Sequence, residues 1–184
     1  RHSKSEFASY LMPSWFLGRN PKLKIIQATM NTELAVRFGR KVRDLIADPV
    51  YREIFPNTDL KPDSQAAGRW ETSAGGEYFA AGVGAAMTGR GADLLIIDDL
   101  HSEQDALSST AYDNAYEWYT SGPRQRLQPG GTIIIVQTRW SKKDITGRLL
   151  AAQQKDIMAD QWEVVEFPAI MPSGEPLWPE FWQK

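Results

Sequence analysis

Two carboxylates stand side by side at the end of an apolar run. Asp98 and Asp99 follow Leu94, Leu95, Ile96 and Ile97 in the stretch GRGADLLIIDDLHSEQDA, residues 89–106. A run that is continuous rather than alternating suits a parallel strand covered on both faces. In an open parallel sheet, ligands sit beyond the carboxyl ends of the strands. A hard cation with phosphate attached would offset the repulsion between the two charges, and a carboxylate beside it can orient or activate a water. The alternative is a strand end where acidic residues meet solvent, since motifs this short recur by chance.

Two further groups could belong to the same chemistry. RHSKSE at the start of the chain places Ser3, Lys4 and Ser5 ahead of a helical pattern. In a phosphate-binding loop that ends Gly-Lys-Ser/Thr, the lysine reaches the outer phosphates and the hydroxyl holds magnesium, at a helix start that favours anions. Ser3 stands where such a loop has Gly, and the loop's first half would precede Arg1. Alone, this stretch also reads as a basic, solvated helix start. The strand pattern GTIIIVQTRW ends in Gln137, Thr138 and Arg139, polar groups that could sense a terminal phosphate or could be ordinary strand-end polarity. What ties the three together is chain order: phosphate loop, an intervening α/β segment, paired carboxylates, then the polar strand end.

The elements that must position these groups are legible from periodicity. Apolar residues at Phe7, Tyr10, Leu11, Trp15 and Phe16 predict a helix from Ser5 to about Leu17, kinked or shortened at Pro13. LKIIQATM (23–30) predicts a strand. Residues 31–48 predict a helix capped by Asn31 and ended by Pro49. Residues 68–82 predict two short strands around Ala74-Gly75-Gly76, a hairpin signal. ADLLIIDD predicts a buried strand, 109–127 a helix, 130–140 a second buried strand, KKDITGRLLAAQQKD a helix, and WEVVEFPAI a last strand. Strands alternating with helices predict an α/β fold with a mainly parallel sheet.

Composition sets outer bounds. The chain has 184 residues, 42% apolar and 24% charged, with a net charge of −2, enough for one domain with a sizeable core. No chain-wide basic field for gripping nucleic acid exists. With no cysteine, disulfides and thiolate metal sites are excluded, and two histidines, His2 and His101, argue against a histidine-built zinc site. No apolar run approaches the length of a membrane span, and no signal peptide opens the chain; the reading is a soluble, intracellular protein. The abrupt start and the Pro- and Trp-rich end predict a piece of a longer protein.

Taken in order, these motifs resemble the ATPase (motor) domain of the large terminase subunit of tailed bacteriophages, the DNA-packaging motor. RHSKSE resembles the end of that family's variant Walker A loop. FLGRNP and ELAVRFGRKVRDLI resemble the turn and helix that follow, and MTGRGADLLIIDD the approach to Walker B. TIIIVQTRW and DITGRLL resemble the next strand and helix, and FPAI and GEPLWPE the run-out toward a nuclease domain that this chain does not reach. The resemblance implies an ASCE-type P-loop NTPase fold lacking its N-terminal part, a single ATPase domain fragment over 1–184. It implies ATP and Mg²⁺ as cofactors. Arg1, Ser3, Lys4 and Ser5 would bind nucleotide, with Ser5 and Asp98 at the metal. Asp99 would be the catalytic carboxylate where the family commonly has Glu, with Glu103 as fallback. Arg90 would act on a neighbouring subunit's phosphate, its alternative being a turn-capping surface arginine, and Thr138 would belong to a coupling motif. Implied partners are double-stranded viral DNA, the portal protein, the small terminase subunit and further large subunits in a ring on the portal, all in the host cytoplasm, with no membrane.

Two other readings stay open: a helicase-like or other nucleic-acid-dependent P-loop ATPase, of which DDLH gives a loose echo, and a non-hydrolysing interaction module with a degenerate core. The seven tryptophans, scattered over strands and helices, read as core or interface residues rather than base-stacking platforms. The basic helix RFGRKVRD reads as a solvated face, and His101 as a loop residue rather than a ligand.

Overall fold

The computed structural model describes residues 3–181, which divide into two compact units, 3–148 and 149–181. The first holds a six-stranded sheet in the order β2-β3-β4-β1-β5-β6. Its strands are β1 (Lys24–Thr29), β2 (Leu60–Ala66), β3 (Arg69–Thr72), β4 (Glu77–Gly82), β5 (Ala92–Asp98) and β6 (Leu127–Val136). β4, β1, β5 and β6 run parallel, and β3 and β2 continue the sheet antiparallel. The α/β class with a mainly parallel sheet, flanked by helices, is therefore observed. β2 has no counterpart among the sequence expectations: LKPDSQA contains Pro62 and only partly buried or exposed positions, as an edge strand permits.

The N-terminal helical segment runs without a break through three hydrogen-bonding regimes: α1 (Lys4–Glu6), a π-helical turn (Phe7–Leu11) and α2 (Met12–Arg19). The Met12 N–H reaches back five residues to the Phe7 carbonyl. Pro13, immediately after, has no N–H to offer the Ser9 carbonyl, so regular α-helical bonding cannot pass this point intact. α3 (Thr32–Ala47) is capped as expected, with Asn31 Oδ1 accepting the Leu34 N–H at 2.9 Å. Pro49 ends that helix and also opens the next, α4 (Pro49–Ile54), because its fixed φ suits a first turn. α5 spans Ser109–Ser121, and α6 spans Ile145–Lys155.

The core fills one face of the sheet. Ile25 of β1, Tyr78 and Ala80 of β4, and Leu94 and Ile96 of β5 pack with Leu17 of α2 and with Ala35, Val42 and Ile46 of α3. Trp70 stacks on Tyr78 at 4.9 Å and donates its indole N–H to the Gly39 carbonyl. Leu95 and Ile97, on the opposite face of β5, are also buried, which accounts for the continuous apolar run.

The second unit holds the last turns of α6 and an irregular segment. The strand expected over WEVVEFPAI does not form: Val164, Val165 and Phe167 are exposed, and the nearest β pairing is a single bridge between Ile170 and Pro176. A strand needs a ladder partner for its backbone groups, and among the described residues no strand pairs with this segment. Instead, Gln153 at the end of α6 anchors it locally by accepting the Trp162 N–H.

Candidate functional site

Register places the two carboxylates at the carboxyl ends of three parallel strands. Asp98 lies opposite Thr29 of β1 and Val136 of β6. Alternation along β5 sends the Asp98 side chain to the core face, which α2 and α3 cover, together with Leu94 and Ile96. Asp99 then turns the chain: its φ of 46° is left-handed, its N–H donates to the Val136 carbonyl, and its own carbonyl accepts from Met30. The Asp99 carboxylate swings away from its neighbour and takes the Thr138 N–H at 3.1 Å. Strands 93–98 and 132–136 are thus adjacent and parallel, with the carboxylates and Thr138 on one edge.

The start of the chain comes to the same edge. Ser3 has φ 56°, and Ser3 and Asp99 are the non-glycine residues with positive φ among those described. The left-handed backbone at Ser3 explains why a glycine would suit this position. Lys4 and Ser5 follow at the head of the helical segment. Ser5 Oγ donates to Asp98 Oδ1 at 3.0 Å, across 93 residues of sequence. Lys4 Nζ donates to the Gln137 carbonyl at 3.1 Å, just past the end of β6.

Asp98 is 2% exposed. Burial pushes its carboxyl above the ordinary range. Hydrogen bonds from Ser9 and then Ser5 pull it back, the Asp99 charge adds to the rise, and Lys4 opposes it. The Ser9 bond is the shortest of the set, with Oγ 2.6 Å from Asp98 Oδ2. Ser9 in turn accepts from Gln27 Nε2 at 3.0 Å. Neither residue was expected at the site. Their signals were present in the sequence: Ser5 and Ser9 are one helical turn apart, and Gln27 is a lone polar residue inside KIIQAT.

The remaining expected residues divide. Thr138 is exposed and contributes its backbone N–H. The Gln137 side chain has both amide atoms buried without a partner. Arg139 is occupied elsewhere, its Nε donating to Asp144 Oδ2 at 3.0 Å. Asp144 also accepts the N–H groups of Trp140, Ser141 and Gly147 and is fully buried. Burial by itself would push this carboxyl up; the hydrogen bonds, led by Gly147 and Arg139, outweigh that and hold it below the ordinary range. Asp144 therefore ties the loop after β6 to the head of α6. Glu103 is exposed in the turn following β5, and Arg1 lies outside the described residues. His101 is buried, edge-on to Tyr112 at 4.8 Å, and burial pushes its imidazole below the usual value.

Arg90 stands apart from this edge. It lies before β5, at the opposite end of the strand from Asp98, its side chain 18% exposed. It pairs with Glu77 of β4, and its guanidinium stacks over Phe79 at 3.8 Å from the ring centre. These partners belong to its own fold.

The donor set can be weighed against the groups the sequence implied. No cluster of three or more His, Cys, Asp or Glu residues suited to a metal occurs among the described residues. One hydroxyl and one carboxylate are nonetheless hard oxygen donors. A magnesium ion keeps several waters and takes its remaining ligands from phosphate rather than from an all-protein cage, so Ser5 and Asp98 fit it. A lysine resting on a carbonyl at a helix start fits phosphate. No helix among the described residues is long and apolar enough to cross a membrane.

No protein-family model matches the chain, and no curated protein matches it. Among solved structures, a crystal structure of the HK97 bacteriophage large terminase superposes with a TM-score of 0.44 at 14% sequence identity. The superposition covers 72% of this chain and 26% of that one, so this chain spans about a quarter of that protein's length.

Proposed function

We propose that the edge formed by Lys4, Ser5, Asp98, Asp99 and Thr138 binds a magnesium–nucleoside triphosphate and hydrolyses it, as the ATPase domain of a motor that packages double-stranded viral DNA. The observation that carries the reading is the Ser5–Asp98 hydrogen bond of 3.0 Å. It brings a helix-start hydroxyl and a strand-end carboxylate together across 93 residues of sequence, which supports the reading. The sequence resemblance to large terminases supplies the packaging context, with DNA, the portal, the small subunit and neighbouring large subunits as partners.

On this reading, Lys4 leaves the Gln137 carbonyl to meet the outer phosphates. Ser5 and Asp98 would open their mutual bond to hold the cation, which when bound would supply charge neutralisation between the phosphates. Asp99, fixed by the Thr138 N–H, orients the attacking water. Phosphoryl transfer needs little beyond such positioning and charge stabilisation. Because Asp99 is held by the segment that follows β6, a shift there on nucleotide binding would move the carboxylate, which gives Thr138 its coupling role. Arg90, at the other end of β5, would act on a neighbouring subunit's phosphate by giving up its contacts with Glu77 and Phe79.

The test is nucleotide binding and phosphate release by the chain and by its full-length protein. Lys4→Ala should abolish binding. Asp99→Asn should retain binding and slow release by about 10²–10⁴. Normal turnover in Asp99→Asn with loss in Glu103→Gln would move the base to Glu103. Binding without release in the full-length wild type would favour a non-hydrolysing module.

A further inference from the structure

The π-helical turn sets Ser9 against the second oxygen of Asp98, and this bond has a consequence for how the carboxylate works. Asp98 uses its two oxygens differently. Oδ1 takes Ser5, a partly buried residue at the head of the helical segment; Oδ2 takes Ser9, which is fully buried inside the π turn. Behind Ser9, Gln27 donates to the same hydroxyl. Gln27 is a fully buried amide in mid-strand, on the face otherwise filled by Ile25, Leu94 and Ile96. Burying an amide there is costly unless it is bonded, and its bonded nitrogen goes to Ser9. Gln27 donates to the Ser9 oxygen while Ser9 donates to Asp98 Oδ2, and the Gln27 Oε1 is left buried without a partner. π turns within α-helices recur at functional sites for this kind of re-aiming of a side chain.

We infer that Ser9 is a positioning residue: held from behind by Gln27, its hydroxyl pins Asp98 Oδ2, so that Oδ1 alone, with Ser5, turns toward a hydrated divalent cation. The inference rests on the nucleotide-site reading above and adds to it a residue pair, Ser9 and Gln27, that touches neither cation nor nucleotide. Without Ser9, the carboxylate can rotate about its last bond and present either oxygen, and the cation loses a preset ligand. Nucleotide contacts made through Lys4 are unaffected.

The experiment is a binding titration of the full-length protein with a fluorescent ATP analogue, read by anisotropy, once with Mg²⁺ and once with EDTA. The ratio of the two affinities isolates the cation's contribution. Ser9→Ala should lower that ratio about tenfold, the worth of one hydrogen bond to a charged group, and leave the EDTA affinity within about twofold. Gln27→Met, which keeps the Ser9 hydroxyl but removes its support, should lower the ratio by less, again without changing the EDTA affinity; it serves equally if Ser9→Ala fails to fold. Equal losses in both titrations mean that Ser9 only supports the fold, and no loss in either means that it does not position the carboxylate; each result overturns the inference. Asp98→Asn separates the two levels. If it abolishes the Mg²⁺ effect while Ser9→Ala and Gln27→Met do not, the inference alone fails. If Asp98→Asn keeps the Mg²⁺ effect, or the wild-type full-length protein binds no nucleotide, the site reading fails and takes the inference with it.

Discussion

Asp98 and Asp144 are both fully enclosed carboxylates in the same unit, and they are solved in opposite ways. Asp144 is met by three backbone N–H groups and a guanidinium, enough to hold its charge below the ordinary carboxylate range despite burial. Asp98 is met by two serine hydroxyls, not enough to offset burial, and its carboxyl is pushed up. Backbone donors at a helix head are fixed by the fold and always present. Hydroxyls can rotate away. A carboxylate satisfied by the first kind is a structural clamp; one left short by the second kind has donors that can be exchanged. Depth of burial does not distinguish the two, but the donors do.

The largest effect should come from breaking the clamp. Asp144→Ala leaves several buried N–H groups without an acceptor and removes the cap of α6, and should destabilise the protein by about 3 kcal/mol in urea denaturation. Because the Asp144 carboxyl is lowered in the folded state, its contribution is present above the unfolded value of about 3.9 and fades as pH falls further through the folded value. The gap between wild type and Asp144→Ala should therefore narrow in acid.

Asp98→Asn should do the reverse. A carboxyl raised in the folded state carries its penalty above the folded value, and the penalty disappears as pH falls toward the unfolded one. Removing the charge should stabilise the protein at neutral pH, by about 1 kcal/mol, and the advantage should vanish in acid. If both variants destabilise alike, the contrast between clamp and site is wrong.

Arg90→Ala tests the other end of β5. Losing the Glu77 pair and the stack on Phe79 should cost about 1 kcal/mol of stability, with nucleotide affinity unchanged. A loss of affinity would return Arg90 to the site. The smallest effect is expected at Ser3→Gly. Relieving a left-handed backbone gains about 1–2 kcal/mol, and the flexibility of glycine gives back about 0.5–1. A net rise of roughly 0.5 kcal/mol, seen as a small increase in Tm, would fit the backbone at Ser3.

Local signals carried much of this. The unbroken apolar run before Asp98 determined a strand buried on both faces, because each residue must face a covered side. Asn31 determined its helix start through its own side chain, and Gly75, with φ 94°, the turn between β3 and β4. The motif order predicted Asp98 and Thr138 on one edge of the sheet, and the resemblance implied Lys4 and Ser5 as their companions. Ser9, Gln27, Asp144 and Arg90 were decided only in three dimensions. Ser9 is serine number two in a helix until a π turn just before Pro13 aims it at a carboxylate 89 residues away. Gln27 looks like a flaw in a strand until its partner is seen. The partners of Arg90, Glu77 and Phe79, could not be read from its place between two glycines. WEVVEFPAI carries the pattern of a strand and remains irregular, because pattern supplies a face to bury and only tertiary structure supplies the neighbouring strand that accepts its hydrogen bonds.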